Sequence, residues 1–116
     1  MKRMLSAFYN SVAAWRHLIS SEKAFQEEAV TLAIGAPLAF FLTGDGWTRL
    51  ALIGSLVLVL IVEVLNTGIE AACDALSREF HADIKIAKDC GSLAVLLSIS
   101  LAASVWCLVL YRLLFG

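Results

Sequence analysis

Glu63-Val64-Leu65-Asn66-Thr67-Gly68-Ile69-Glu70-Ala71-Ala72-Cys73-Asp74 closes an apolar run that begins at Leu50, placing acids at the end of a segment fit for a bilayer. Wound as one helix at about 100° per residue, Glu63, Asn66, Glu70 and Asp74 fall at roughly 0, 300, 340 and 20°. All four share one narrow polar stripe. An ionisable side chain at bilayer depth costs about 2.5 to 3.5 kcal/mol even on insertion scales, so such a stripe requires a function or a partner.

Leu50 to Ile69 supplies the roughly 20 residues that cross a hydrocarbon core. Helix is expected to continue through Asp74 to about Glu79. On the N-terminal side, Thr43-Gly44-Asp45-Gly46-Trp47 reads as a tight turn with an interfacial tryptophan. Ala29 to Leu42 before it is apolar and uncharged, and membrane helices tolerate a Gly35 and a Pro37 because neighbours satisfy the freed backbone groups. That run is short, so it must recruit Phe25 to Glu28 and hold them bundle-facing or interfacial. On the C-terminal side, polar Ser77 to Lys88, with His81 a loop residue, leads to a third apolar run from Leu93 past Leu110. Ser98, Ser100, Ala102, Ala103 and Ser104 suit close helix packing there, and Tyr111 and Arg112 anchor its end.

Ahead of the spans, Leu5, Phe8, Val12, Trp15 and Ile19 recur at spacings of three and four and give an amphipathic helix. With Lys2, Arg3, Arg16 and Lys23 around it, this helix suits either an anionic membrane surface or the end of the chain's own bundle. Ser21 is expected to cap the second helix, with Glu22 in its first turn. No secretory signal precedes it, since Met1-Lys2-Arg3 is followed by an amphipathic stretch without a continuous apolar centre.

The expected fold is therefore an all-α membrane protein, one domain over 1–116. An interfacial helix at about 3–20 precedes spans at about 25–42, 48–69 and 92–114. Composition agrees: 60% apolar residues and a mean hydropathy of +0.84 exclude an ordinary soluble domain of 116 residues. A net charge of −1 gives no case for a nucleic-acid partner. Cys73, Cys90 and Cys107 lack the close pairing of metal or redox motifs and are expected to be buried apolar fillers. Lys2, Arg3, Arg16, Lys23, Arg78, Lys85 and Lys88 lie on one side of the spans, with only Arg49 and Arg112 on the other. The bias puts the N-terminus and the acidic stripe in the cytoplasm and the C-terminus outside.

In this topology Glu22, Glu63, Glu70, Asp74 and Asp89, with Lys88, gather at the cytoplasmic ends of three helices. Carboxylates of this kind bind Mg²⁺, which takes one or two of them and completes its octahedron with water and phosphate oxygens. Glu63 lies about 9 Å below Ile69, under the head groups, where a carboxylate can meet a lipid hydroxyl as general base. Lys88 suits neutralising phosphate charge. No glycine-rich phosphate loop is present, so any nucleotide site has another form.

Glu63 to Glu70 followed by Asp74, then Ala87-Lys88-Asp89-Cys90-Gly91-Ser92, closely resembles the signature of the prokaryotic diacylglycerol kinase family. The likeness extends through Glu22-Lys23-Ala24-Phe25-Gln26-Glu27-Glu28 and Glu79-Phe80-His81, nearly the whole chain. It implies a homotrimeric inner-membrane kinase that moves the γ-phosphate of MgATP to the primary hydroxyl of diacylglycerol, giving phosphatidic acid. By position it implies Glu63 as catalytic base and Glu22 and Glu70 as the Mg²⁺-nucleotide carboxylates. Asn66 and Asp74 would shape the site, and Lys88 and Asp89 would form a nucleotide-phosphate pair. Arg3 would stand near the phosphates, and sites would form between subunits. A sister branch that phosphorylates undecaprenol is the nearer alternative, and a non-enzymatic membrane subunit with an acidic stripe the more distant one. Phe25-Gln26-Glu27-Glu28 and Lys88-Asp89-Cys90-Gly91-Ser92 look closer to the diacylglycerol branch. No acid occurs from Leu50 to Val62, which speaks against an ion path through the membrane.

Overall fold

The computed structural model describes residues 1–116 as four helices without strands: α1 Lys2–Ser21, α2 Lys23–Leu42, α3 Gly46–Leu76 and α4 Ala82–Phe115. The last three are long and apolar enough to cross a membrane, as expected. At 1.5 Å per residue α2 is about 30 Å long, just a hydrocarbon thickness, whereas α3 and α4 run to roughly 46 and 51 Å. The two longer helices therefore extend beyond the bilayer, carrying their polar ends with them.

Several boundaries differ from the sequence reading. Ser21 does not cap α2: its hydroxyl bonds back to the His17 carbonyl at 2.5 Å, which keeps it in the last turn of α1. Glu22 alone separates α1 from α2, with extended torsions of −108° and 108°. Helix α3 stops at Leu76, short of Glu79, because extended Ser77 turns the chain and its hydroxyl accepts the Glu79 N–H at 3.0 Å. The polar segment after it is mostly helix, since α4 begins at Ala82 and includes Lys85 and Lys88. His81 stands at its N-cap without a side-chain bond.

The packing is one-sided. On α3 the buried residues Leu52, Ser55, Val59, Glu63, Asn66 and Cys73 repeat at helical spacing along one face. Helix α4 presents Gly91, Ser98 and Ala102 as its buried face, small residues that let the backbones approach. The two run antiparallel: Gly91 meets Asn66 near one end, and Trp106 Nε1 donates to the Leu52 carbonyl at 3.1 Å near the other. Of the small residues expected to pack, Ser98 and Ala102 do so and Ser100, Ala103 and Ser104 stay exposed. Among the cysteines only Cys73 is buried; Cys90 and Cys107 are exposed because each lies off the face defined by Gly91, Ser98 and Ala102. Helix α2 packs through Phe25, Gly35 and Ala39. A Cβ at Gly35 would stand 2.5 Å from Leu56 Cδ1 and 3.5 Å from Trp106 Cζ2.

The α2–α3 turn is fixed by charge. Asp45 caps α3, accepting the Thr48 N–H at 2.9 Å and the Thr48 hydroxyl at 2.7 Å. Arg49 reaches back to the end of α2, donating to the Thr43 carbonyl at 2.8 Å and to the Phe40 carbonyl at 3.3 Å, with its guanidinium 4.5 Å over the Phe40 ring. Trp47 is exposed beside this turn, as an interfacial anchor should be. Helix α1 rests on α2 and buries only Leu18, so Leu5, Phe8, Trp15 and Ile19 leave an apolar face open.

Trp106→Ala removes both the bond to Leu52 and the ring beside Gly35. We expect unfolding in mixed micelles to show a loss of about 2 to 3 kcal/mol, below the figure for a fully buried ring because Trp106 is half-buried. The Thr48 bonds hold the Asp45 carboxyl below its ordinary range. The cap therefore contributes in full above the unfolded-state value and is lost as pH falls through the lower folded value. Asp45→Ala should flatten this acid limb of a stability–pH profile.

Candidate functional site

The acidic stripe of α3 lies on the α3–α4 seam and changes character along its length. Glu63 and Asn66 are buried, at 7% and 8% exposure, whereas Asp74 is half-buried and Glu70 exposed. Asn66 donates from Nδ2 to Glu70 Oε1 one turn away, a long bond at 3.4 Å. Its Oδ1 is buried without a partner. A Cβ on Gly91 would collide with that oxygen, so only glycine lets α4 lie this close to Asn66.

Lys88 reaches from α4 across to α3, where its Nζ donates to Asp74 Oδ1 at 2.9 Å. It does not pair with Glu63, leaving that carboxylate without a cationic partner. Asp89 does not pair with Lys88 either; it accepts from Lys85 one turn earlier at 2.6 Å. The bond to Asp74 places the Lys88 ammonium at the open end of the stripe. Both ion pairs are substantially exposed, so their value lies in where they hold charge rather than in stability.

Glu22 comes from the break between α1 and α2 and is half-buried. Its charge and that of Glu70 both act on Glu63. Arg3, in the first turn of α1, is exposed and makes no hydrogen bond or ion pair, so the structure does not bring it to the others.

Glu28 also stands at this acidic end, and the sequence reading did not single it out. One of its oxygens, Oε2, is buried without a partner, and its charge is close enough to repel that of Glu63. It also lines a groove of about 520 Å³ formed with Thr31, Gly35, Val59, Ala102 and Trp106. The signal was available: Glu28 is in helical phase with Phe25, Leu32, Gly35 and Ala39, which marks it as facing inward. Three helices thus bring Glu22, Glu28, Glu63, Asn66, Glu70, Asp74 and Lys88 to one end of the bundle.

Comparison with known sequences gives the family. A family model for prokaryotic diacylglycerol kinase matches residues 9–110. The chain belongs to that family. The matched residues include every site position discussed above except Arg3. A diacylglycerol kinase of Escherichia coli strain K12 is 42% identical over 99 residues, covering 85% of this chain and 78% of the relative. One from Pseudomonas aeruginosa is 34% identical over 110 residues, covering 95% and 89%, and one from Haemophilus influenzae is 28% identical over 106, covering 91% and 90%. Membership makes the chain an enzyme, a lipid kinase, and decides against a non-enzymatic membrane subunit.

The donor set fits Mg²⁺. No group of three or more His, Cys, Asp or Glu side chains converges on a metal position. A hard cation needs no such cage, because one or two carboxylates suffice when phosphate oxygens and waters complete the shell. The exposed or half-buried carboxylates at this end of the bundle, Glu22, Glu70 and Asp74 among them, are oxygen donors of that kind.

Gly91→Ala should destabilise the α3–α4 pair by about 1 to 3 kcal/mol through overpacking against Asn66. Adding Asn66→Ala removes the colliding oxygen, so the double variant should regain part of that loss. Simple additivity in micellar unfolding would show that the contact does not limit helix approach.

Proposed function

We propose that this chain phosphorylates diacylglycerol with MgATP at the cytoplasmic face of the inner membrane, giving phosphatidic acid. The single observation that supports this most is Glu63: an acid buried on α3, with no cationic partner, about two to three turns below the more exposed Glu70 and Asp74. A group so placed meets a hydroxyl presented from the lipid side and a phosphate presented from the water side. Relatives named diacylglycerol kinase support the choice of this lipid over undecaprenol.

Glu63 takes the proton of the lipid's primary hydroxyl as that oxygen attacks the terminal phosphorus, with ADP leaving on the opposite side. The unpartnered Oδ1 of Asn66 is an acceptor that orients a hydroxyl at the same depth. Lys88, released from Asp74, supplies positive charge to the transferring phosphoryl group, and Asp89 steadies this end of α4 through Lys85. Glu22 and Glu70 hold Mg²⁺, which when bound neutralises phosphate oxygens. Glu28 borders the apolar groove and faces the polar part of a lipid lying in it. Arg3 joins the phosphates only if α1 or a second subunit carries it there.

A homotrimer with shared sites suits the surface of a single chain. Only 13 of 116 residues are buried, and large apolar side chains cover the rest of the spans. The spans at about 25–42, 48–69 and 92–114, the cytoplasmic N-terminus and the external C-terminus belong to the same proposal.

Glu63→Gln should abolish transfer of ³²P from ATP to diacylglycerol in mixed micelles, by about 10²-fold or more, while helix content and oligomeric state persist. Full activity in this variant would remove Glu63 from the base role. Undecaprenol assayed in parallel should be the poorer acceptor; the reverse preference would move the chain to the sister branch.

A further inference from the structure

The junction of α1 and α2 is one residue long. Glu22 alone leaves helical torsions, between two helices of 20 residues each. Helical bonding survives at its edges, with the Glu22 N–H donating to the Leu18 carbonyl and the Gln26 N–H to the Glu22 carbonyl, both at 3.0 Å. In an unbroken helix the Ile19 carbonyl would accept from the Lys23 N–H. The bend removes that bond, and Gln26 replaces it: Nε2 of the side chain donates to the Ile19 carbonyl at 2.9 Å. A side chain in the first turn of α2 thus stands in for a backbone amide in the last turn of α1. A second contact crosses the same bend, where the Trp15 ring meets Phe25 edge-on at 5.1 Å and 83°. Phe25 is fully buried, so this contact ties α1 to the fixed part of the bundle.

Glu22 is both the bend and a site acid. Any change in the angle between α1 and α2 is taken up in its own torsions, and those torsions aim its carboxylate. We propose that Gln26 is a positioning residue for phosphoryl transfer, fixing the bend at Glu22 through the Ile19 carbonyl and so the direction from which the Glu22 carboxylate meets the divalent cation. The inference rests on the reading of Glu22 as a metal carboxylate. Under this proposal Gln26 acts on the cation only through Glu22, and the hydroxyl and phosphate chemistry proceeds without it.

The test uses the full chain in lipid micelles. Mn²⁺ binding in the presence of a non-hydrolysable ATP analogue is followed by electron paramagnetic resonance, and the Mg²⁺ dependence of turnover is measured alongside. Gln26→Leu should weaken Mn²⁺ binding about five-fold, the scale of one lost hydrogen bond, and raise half-saturating Mg²⁺ to match. Turnover at saturating Mg²⁺ should stay within about two-fold of the parent. Gln26→Lys, which keeps a donor, should recover most of the binding. In a Glu22→Gln background, Gln26→Leu should have no further effect on Mn²⁺. If Gln26→Leu fails to fold, Gln26→Glu, of the same shape without the donor, takes its place. Unchanged Mn²⁺ binding in the Gln26 variants, with weakened binding in Glu22→Gln, overturns the inference and leaves the Glu22 reading intact. Unchanged binding in Glu22→Gln overturns both. An equal effect of Gln26→Leu with and without Glu22 shows a role in stability alone and also overturns the inference.

Discussion

The close approach of α4 to α3 at Gly91 and Asn66 is the contact on which the site depends. Glycine there removes the Cβ that would meet the Asn66 oxygen, and Glu63 lies buried one turn deeper on the same helix as Asn66. The same seam sets the reach of Lys88, which spans to Asp74 only because the two helices lie side by side beyond the membrane. Move α4 outward by a side chain's width and the depth of the acid, the orphaned amide oxygen and the cross-helix ion pair change together. The polar site is thus a product of apolar packing, with Leu52, Val59, Ser98 and Ala102 holding the seam further along.

Charge in this end of the molecule is arranged by need. Carboxylates outnumber cations, and two of the lysines are already engaged, Lys88 by Asp74 and Lys85 by Asp89. Glu22, Glu28, Glu63 and Glu70 remain, close enough for their charges to act on Glu63 or through it. Such an excess is costly at the edge of a membrane and is relieved by a cation. The proposed metal and nucleotide would complete an electrostatic set that the protein leaves unbalanced.

The hydropathy of three runs and the phase of the acidic stripe made the helices and the buried polar face of α3 legible in the sequence. Periodicity placed Glu63 and Asn66 on one face, and the burial of both on α3 agrees with it. Boundaries were less legible, because Ser21 and Ser77 have local hydroxyl bonds that decide where helices end and that spacing alone does not reveal. The cysteines misled, since an apolar residue in a membrane helix faces lipid as readily as protein. Glu28 was read only as part of Phe25 to Glu28, a segment facing the bundle or the interface, although its phase with Gly35 and Ala39 points inward. The partners of Lys88 and Asp89 were beyond sequence reasoning, since adjacent residues on a helix point about 100° apart and choose different neighbours.

The connections between helices are short: a single residue at Glu22, then residues 43–45, then residues 77–81. Kinases commonly fold a mobile flap over bound nucleotide so that water does not take the phosphate. Here no connecting segment is long enough to form one. Under the proposed mechanism the membrane takes over that duty by depth: the base that activates an acceptor sits below the surface, where lipid hydroxyls outnumber water, and hydrolysis is suppressed by location instead of by closure.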